Sequence, residues 1–522
     1  MAVKSNLVNL DAMIKRSDFG AEDDLETSSF ESFNGISVRD FISSGIVGPQ
    51  LRKPDFQRET NHWDPYQIVS LLECFMNGDL VPSVILWKSP SYIFVIDGGH
   101  RLSVLKAWVE DDYGDGPSSQ KLFGHDIPTE QKKAADQTRR LVNEKIGPWT
   151  HYHSRIGDDE LSPEERKKIN TITTRALNVQ WVNGDSEKAE NSFFNINMKG
   201  TPLDDIEELL LKSRKKPVAI AARAIIRAGK GHRYWSSFEK DIIDKIEKQA
   251  KDLHKLLFDP EVKKPIKTLD LPLGGSKGVR TALNVLIQFI LLANRQQGKV
   301  LTVYDFKDDS DGSLTLNVLR KTNYLAQRIT GNENGSLGLH PAVYFYGPSG
   351  RHSSPMFLGT ISLIAEKIVN NNSNYFFKIT KVRSNLEDIL NSFKPQIAVI
   401  IQKHMNKLRV SKYHELLEGL IDSLDKGNLI TEEVLVDLAG FKGKVMTGTA
   451  KSKAAKFSKE AKSKVFIESA LKGAVKCSIC RGYLDTEKSL SYDHKERVED
   501  GGVGDDDNCQ LTHPFCNQSV KN

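Results

Sequence analysis

Four of the chain's five cysteines fall between Cys477 and Cys516, and this crowding constrains the last part of the sequence more than any other feature. Cys477-x-x-Cys480 and His513-x-x-Cys516 have the spacing of two metal knuckles, because thiolate and imidazole groups two residues apart on tight turns can reach one ion. We therefore expect a tetrahedral structural Zn2+ held by Cys477, Cys480, His513 and Cys516. Cys509 competes with His513 for a place, but its longer spacing to Cys516 suits a knuckle less well. Thiols packed this closely read as a metal cluster rather than a disulfide framework. Met1 to Phe19 alternate charged and apolar groups with no signal-peptide core, so the expected location is cytoplasmic.

The 522 residues allow several domains, and 39% hydrophobic with 27% charged residues is ordinary globular usage, which excludes wholesale disorder. The longest apolar run, Ala282 to Ala293, is broken by Asn284 and Gln288 and falls short of the roughly 18 to 20 residues that cross a bilayer. No membrane partner is expected. The net charge is +5, yet Lys442 to Lys476 hold ten lysines against Glu460 and Glu468, a local +8 that leaves the remainder at −3. This Lys, Ala, Ser and Gly stretch reads as a flexible basic linker that can hold phosphates by counterion release without reading sequence. A merely solvated tether is the plainer reading of the same residues.

Periodicity divides the rest. Ile68, Leu71, Leu72 and Phe75 predict a helix within Asp64 to Asn77, stopped by Gly78. Strand-like runs follow at Val81 to Trp87 and Tyr92 to Ile96, the second entering Asp97-Gly98-Gly99-His100-Arg101, with a helical run from Leu102. A strand is also predicted over Lys488 to Asp493, a loop region over Gly331 to Arg351, and buried strand packing for Tyr344 to Tyr346. The expected fold class is α+β multidomain: an N-terminal extension (1–33), an α/β domain (34–235), a mainly helical middle (236–440), the Lys-rich linker (441–472) and the metal module (473–522).

Asp493-His494, Gly501-Gly502, Asn508 and Cys516-Asn517 surround the zinc knuckles. In this order they resemble an HNH endonuclease, the ββα-metal nuclease fold. The resemblance implies that His494 is the general base, that Asp493 and Asn517 hold one catalytic Mg2+ or Mn2+, and that Asn508 fixes the loop carrying His494. Such a set is chemically sufficient, since phosphodiester hydrolysis needs a base for water and a Lewis acid for the developing charge. A zinc ribbon that only binds DNA is the bland alternative.

At the other end stand Pro54-Asp55-Phe56-Gln57-Arg58, Trp63, Val81 to Leu86, Ile96 to Leu102, and Phe193-Phe194-Asn195-Ile196-Asn197 with Gly200 to Leu203. These ordered blocks resemble the N-terminal domain of GmrSD-type modification-dependent restriction enzymes, a relative of the ParB and sulfiredoxin fold. The glycine turn between strand and helix exposes backbone amides, and Arg101 adds a forked cation, which together make a phosphate cradle. The resemblance implies an NTP site at Asp97, Gly98, Gly99, His100 and Arg101, with Gln57, Arg58 and Asn197 as further contributors. A structural Arg101–Asp97 bridge is the plainer alternative. Sulfiredoxin's reactive cysteine is missing before His100, which excludes sulfinic-acid reduction.

Together the two resemblances imply an SspE-like architecture: a DNA endonuclease of an anti-phage defence system, governed by a nucleotide-binding or nucleotide-hydrolysing sensor of foreign or modified double-stranded DNA. One such site makes one cut, so a double-strand break would imply a homo-oligomer or repeated nicking. The rival is a nucleotide-switched DNA-binding protein with a non-catalytic zinc module.

Overall fold

The structure is a computed structural model that describes residues 7–17, 19, 32–54, 57, 60–123, 127–199, 205–229, 234–275, 279–443, 445 and 456–520. The chain divides into two compact units, Met1–Arg214 with Lys230–Arg233, and Lys215–Gly229 with Tyr234–Asn522. The division falls at Arg214, ahead of residue 235 where the sequence had placed the end of the α/β domain, because the apolar helix Pro217–Ile226 packs with the helices that follow it.

The first unit is built on a six-stranded mixed sheet. Its strands are β1 (Arg16–Ser17), β2 (Gly35–Ser37), β3 (Leu51–Pro54), β4 (Val84–Lys88), β5 (Ile93–Asp97) and β6 (Ala176–Val182), in the order β1-β3-β5-β4-β6-β2. β3 runs parallel to β5 and β4 parallel to β6, whereas β4 and β5 form an antiparallel hairpin. Its turn is closed by Ser89, whose amide bonds the Tyr92 carbonyl at 2.9 Å. Helix α1 (Pro65–Asn77) begins at a capping box between Asp64 and Gln67, with Pro65 at its first position, and ends at Gly78. It buries Ile68, Val69, Leu72 and Phe75 in the same core as Val84, Leu86 and Val95 of the sheet. The predicted strands and helix lie where the periodicity put them, shifted by one to three residues. β5 leads through Gly98 directly into helix α2 (Gly99–Glu110).

The second unit is mainly helical and holds the two-stranded ribbon of β7 (Ser491–His494) and β8 (Cys509–Thr512). β7 starts later than expected, because Ser489 turns back to bond the Asp485 carbonyl at 2.8 Å. Tyr344, Phe345 and Tyr346 are buried, though not in a strand: the short helix Pro341–Tyr344 ends there, and the Tyr346 hydroxyl donates to the Pro272 carbonyl at 2.9 Å. The Lys-rich stretch is not a tether throughout. Ser458 caps a helix, Lys459–Lys472, that buries Ile467 and Leu471 and accepts the Ile266 amide on Ser463 at 3.0 Å. Residues 444 and 446–455 of that stretch lie outside the described residues. No helix is long and apolar enough to cross a membrane among the described residues.

Candidate metal centre and active site

Cys477 and Cys480 sit on a tight turn before the ribbon, and His513 and Cys516 follow β8. The turn closes by the Cys477 amide on the Gly482 carbonyl at 2.8 Å and the Arg481 amide on Cys477 at 3.0 Å, with Arg481 left-handed at φ 59. The Ser478 amide then ties the knuckle to β8 through the Leu511 carbonyl at 2.9 Å. All four candidate ligand atoms lie within 4.8 Å of one another, and all four residues are buried. His513 Nε2 faces the Tyr483 carbonyl at 3.0 Å, while Nδ1 faces Cys480 Sγ at 3.3 Å. With Nε2–H donated to the carbonyl, Nδ1 keeps its lone pair for an ion, the usual arrangement around a bound metal. Burial, with Arg383 beside it, pushes His513 below its ordinary range and so favours that neutral ring. Hydrogen bonding from Cys480 and Cys516 pulls the Cys477 thiol well down, and the same contact pushes Cys480 up to about 11. Three thiols and an imidazole converging in a dry pocket are a soft donor set, and they fit Zn2+. Cys509 is exposed and lies outside this cluster.

The knuckle is seated in the helical unit through buried charge. Arg383, on the helix Asn374–Ser392, donates Nε to Glu387 at 2.7 Å and NH2 to the Gly338 carbonyl at 2.8 Å. Glu387 also accepts the Tyr344 hydroxyl at 3.0 Å and, from the knuckle itself, the Tyr483 amide at 2.6 Å. Gly482 is required here, since a Cβ would stand 2.5 Å from Arg383 Nε. The segment read as a loop over Gly331 to Arg351 forms the rest of the seat: the Phe515 amide bonds the Ser336 carbonyl at 2.9 Å, and Ser489 Oγ the Gly331 carbonyl at 2.8 Å. Nothing in the sequence pattern singles out Arg383 or Glu387. Their signal is only an Arg-Glu pair at helical spacing on an otherwise apolar face. Glu387→Ala leaves Arg383 buried with its carboxylate gone, and we expect a loss of about 3–5 kcal/mol in unfolding free energy, measured by denaturant titration.

The ribbon carries the second set of residues. Asp493 pairs with Gln510 and His494 with Cys509 across β7 and β8. Gln510 Nε2 donates to Asp493 Oδ2 at 2.8 Å. Asn517, in the turn of helix after Cys516, donates Nδ2 to Ser491 Oγ at 2.8 Å and to the Tyr492 carbonyl at 3.2 Å. Its amide hydrogens are thus spent on the strand that bears Asp493 and His494, which leaves an oxygen as its donor toward a hard cation. Asn508 ties off the connecting loop: Oδ1 accepts the Glu496 amide at 2.7 Å, and Nδ2 donates to the carbonyls of Glu496 at 3.1 Å and Val503 at 2.8 Å. Asn517 thus bonds the Ser491 end of β7, beside the Cys/His cluster, whereas Asp493, His494 and Asn508 lie toward the opposite end of the ribbon, where His494 pairs with Cys509. Gln510 and Ser491 went unread in the sequence, because only the strand pairing puts them against Asp493 and Asn517.

In the first unit, Gly98 takes φ 94 to turn β5 into α2, a conformation that strains any other residue. Arg101 NH2 bonds Asp97 Oδ2 at 2.6 Å and the Ser83 carbonyl at 3.0 Å, so the bridge weighed as the plainer alternative is formed. His100 stacks on Trp63 at 5.4 Å. Gln57 reaches under the turn: its Nε2 donates to the Val95 carbonyl at 3.3 Å, and its buried Oε1 has no hydrogen-bond partner among the described residues. Asn197 lies on the helix Ser186–Lys199, and Arg58 lies outside the described residues. Sequence reasoning missed Lys53, a fully buried cation on β3 that donates to Asp11 Oδ1 at 2.8 Å and Thr60 Oγ1 at 2.9 Å.

Burial opposes ionisation of Asp11, but Arg16 and Lys53 outweigh it and hold the carboxyl well below the ordinary range. A depressed folded-state value gives stability that is present above the unfolded carboxyl value of about 3.9 and is lost as pH falls through the lower folded one. We expect Asp11→Asn to destabilise the first unit at pH 7 and to flatten its acid limb in melting curves recorded from pH 7 to 2.

A second group, Glu366, His414 and Glu418, also has ligand atoms within 4.8 Å of one another. Lys367 already sits on both carboxylates and Arg295 on Glu366, so two acids face two cations and no metal is called for.

The first unit is thus a mixed α/β domain of the strand, glycine turn and helix kind, with a charged network beneath the turn. Residues 38–214, about a third of the chain, match the family model of the GmrSD restriction endonuclease, N-terminal domain, and form a GmrSD-type N-terminal domain. This is a domain of restriction endonucleases, and it points to DNA as the partner. No curated protein and no solved structure matches the chain.

Proposed function

We propose that the protein is a metal-dependent DNA endonuclease of restriction type, cutting at the β7–β8 ribbon and governed by a nucleotide held at the β5–α2 turn. The observation that supports this reading is the hydrogen bonding of Asn517 to the Ser491 hydroxyl and the Tyr492 carbonyl, on the strand that continues into Asp493-His494, beside a buried cluster of three cysteines and a histidine. A ribbon followed by a short helix is in keeping with a ββα-metal module, and the sheet of the first unit is in keeping with a ParB-like domain.

In this reading Cys477, Cys480, His513 and Cys516 hold structural Zn2+ and fix the end of the ribbon where Ser491 faces Thr512. Asp493 and Asn517 would hold Mg2+ or Mn2+, which when bound supplies Lewis acidity to the scissile phosphate. His494 takes the proton of the attacking water as its oxygen bonds to phosphorus and one P–O bond breaks. Gln510 steadies Asp493, and Asn508 holds the loop that follows His494. At the other site the first amides of α2, with Gln57 Oε1 below them, suit a phosphate and its sugar. Arg101 would share its guanidinium between Asp97 and that phosphate.

The test is incubation of supercoiled plasmid and phage DNA with the full chain, Mg2+ or Mn2+, and each NTP in turn. We expect nicked circles only with divalent metal, and an NTP dependence that Arg101→Ala alters. Binding without any cutting under all conditions would favour a zinc module that only holds DNA.

A further inference from the structure

The helical unit contains a cleft of about 340 Å3 between the helices Val279–Ala293, Ser313–Ile329 and Ser354–Val369, remote in sequence from the ribbon. That volume is at the small end of the roughly 300–1,000 Å3 of ligand sites. Its floor is apolar, with Leu325 and Ile368, and its walls carry Arg295, Arg320, Lys321 and Tyr324 but no carboxylate. Arg320 and Tyr324 are one turn apart on the same helix face, which sets a cation beside a ring. Tyr324 is 57% exposed, an unusual position for an aromatic on an apolar rim. Arg320 and Lys321 are exposed and form no ion pair among the described residues.

Arg295 pairs with Glu366, yet that pair does not use all of its donors. Its side chain is only 9% exposed, and its two bonds are long: NH1 to the Ser362 carbonyl at 3.3 Å and NH2 to Glu366 Oε2 at 3.4 Å. Its Nε is buried without a partner. A buried guanidinium with donor capacity to spare, two unpaired cations and an exposed ring over an apolar floor match one chemistry: a phosphate joined to a flat base.

We propose that this cleft binds a nucleotide, with phosphate on Arg320, Lys321 and Arg295 and the base against Tyr324. The site is distinct from the β5–α2 turn and does not depend on the nuclease reading. The nucleotide could be free or a unit of a DNA strand. To separate these, the full chain carrying Arg101→Ala is titrated with a fluorescent ATP analogue, with a labelled oligo(dT), and with pyrophosphate as competitor.

Arg320→Glu with Lys321→Glu is expected to weaken binding about a hundredfold, the cost of two lost charged contacts, and separately Tyr324→Ala about tenfold, the cost of one stacked base. Melting should be unchanged, because all three side chains are exposed. Displacement of the oligonucleotide by free ATP assigns the free ligand. Oligonucleotide binding that ATP does not displace assigns the strand. Unaltered binding in both variants overturns the proposal, as does pyrophosphate competing equally with a silent Tyr324→Ala, which would leave a plain anion site.

Discussion

Cys480→Ser is expected to release the zinc proposed for the Cys/His cluster and to lower the thermal midpoint of the helical unit by on the order of 10 °C. The size follows from two steps. A structural zinc ligand set contributes several kcal/mol to folding once all its thiols are ionised. In a unit of this size each kcal/mol moves the midpoint by about 1.5–2 °C. The effect reaches beyond the knuckle, because the Tyr483 amide on Glu387 and the Gly482 contact with Arg383 depend on the turn that a metal on these four residues would close. Zinc content by elemental analysis, about one ion per chain in the wild type for a four-ligand site, and calorimetry provide the readout. Cys509→Ser is the control: exposed and outside the cluster, it should leave both zinc and melting unchanged. Zinc retained in Cys480→Ser, or lost in Cys509→Ser, would show that the ligands are not those four.

His494→Ala is expected to slow DNA cleavage by about 10²–10⁴-fold, the usual contribution of a general base, with zinc content, melting and DNA binding kept. His494 is half-buried on β7, and no zinc-cluster residue bonds its ring among the described hydrogen bonds, so its loss should not loosen the fold. Added imidazole should restore part of the rate. Asn508→Ala should lower the rate as well, but by a different route. It frees the loop held by the Glu496 and Val503 bonds, and imidazole should not rescue it. If His494→Ala cuts as fast as the wild type, the base lies elsewhere.

The chemistry-bearing motifs were legible in the sequence because they are short and local. Cysteine spacing names its own partner residues, and a glycine turn between strand and helix announces itself through its neighbours. What stayed hidden is what long-range packing decides. Lys53 reads as a surface residue until Asp11, Arg16 and Thr60 are folded around it. Gln510 is an ordinary polar strand residue until pairing sets it across from Asp493. The helix Lys459–Lys472 was masked by its charge: Ser463, Ile467 and Leu471 make a narrow buried stripe within a lysine-rich run that looks solvated on composition.

The docking of the knuckle against Arg383 and Glu387 bears on how the chain can be taken apart. A fragment beginning near Cys477 would strip Glu387 of the Tyr483 amide and leave the Ser336 and Gly331 carbonyls without Phe515 and Ser489. Both pieces would then expose surfaces made for each other, and neither would be a portable cassette. For transplantation into another protein, the natural scissors mark lies at Lys215, where the helical unit begins, rather than at the first cysteine of the metal module.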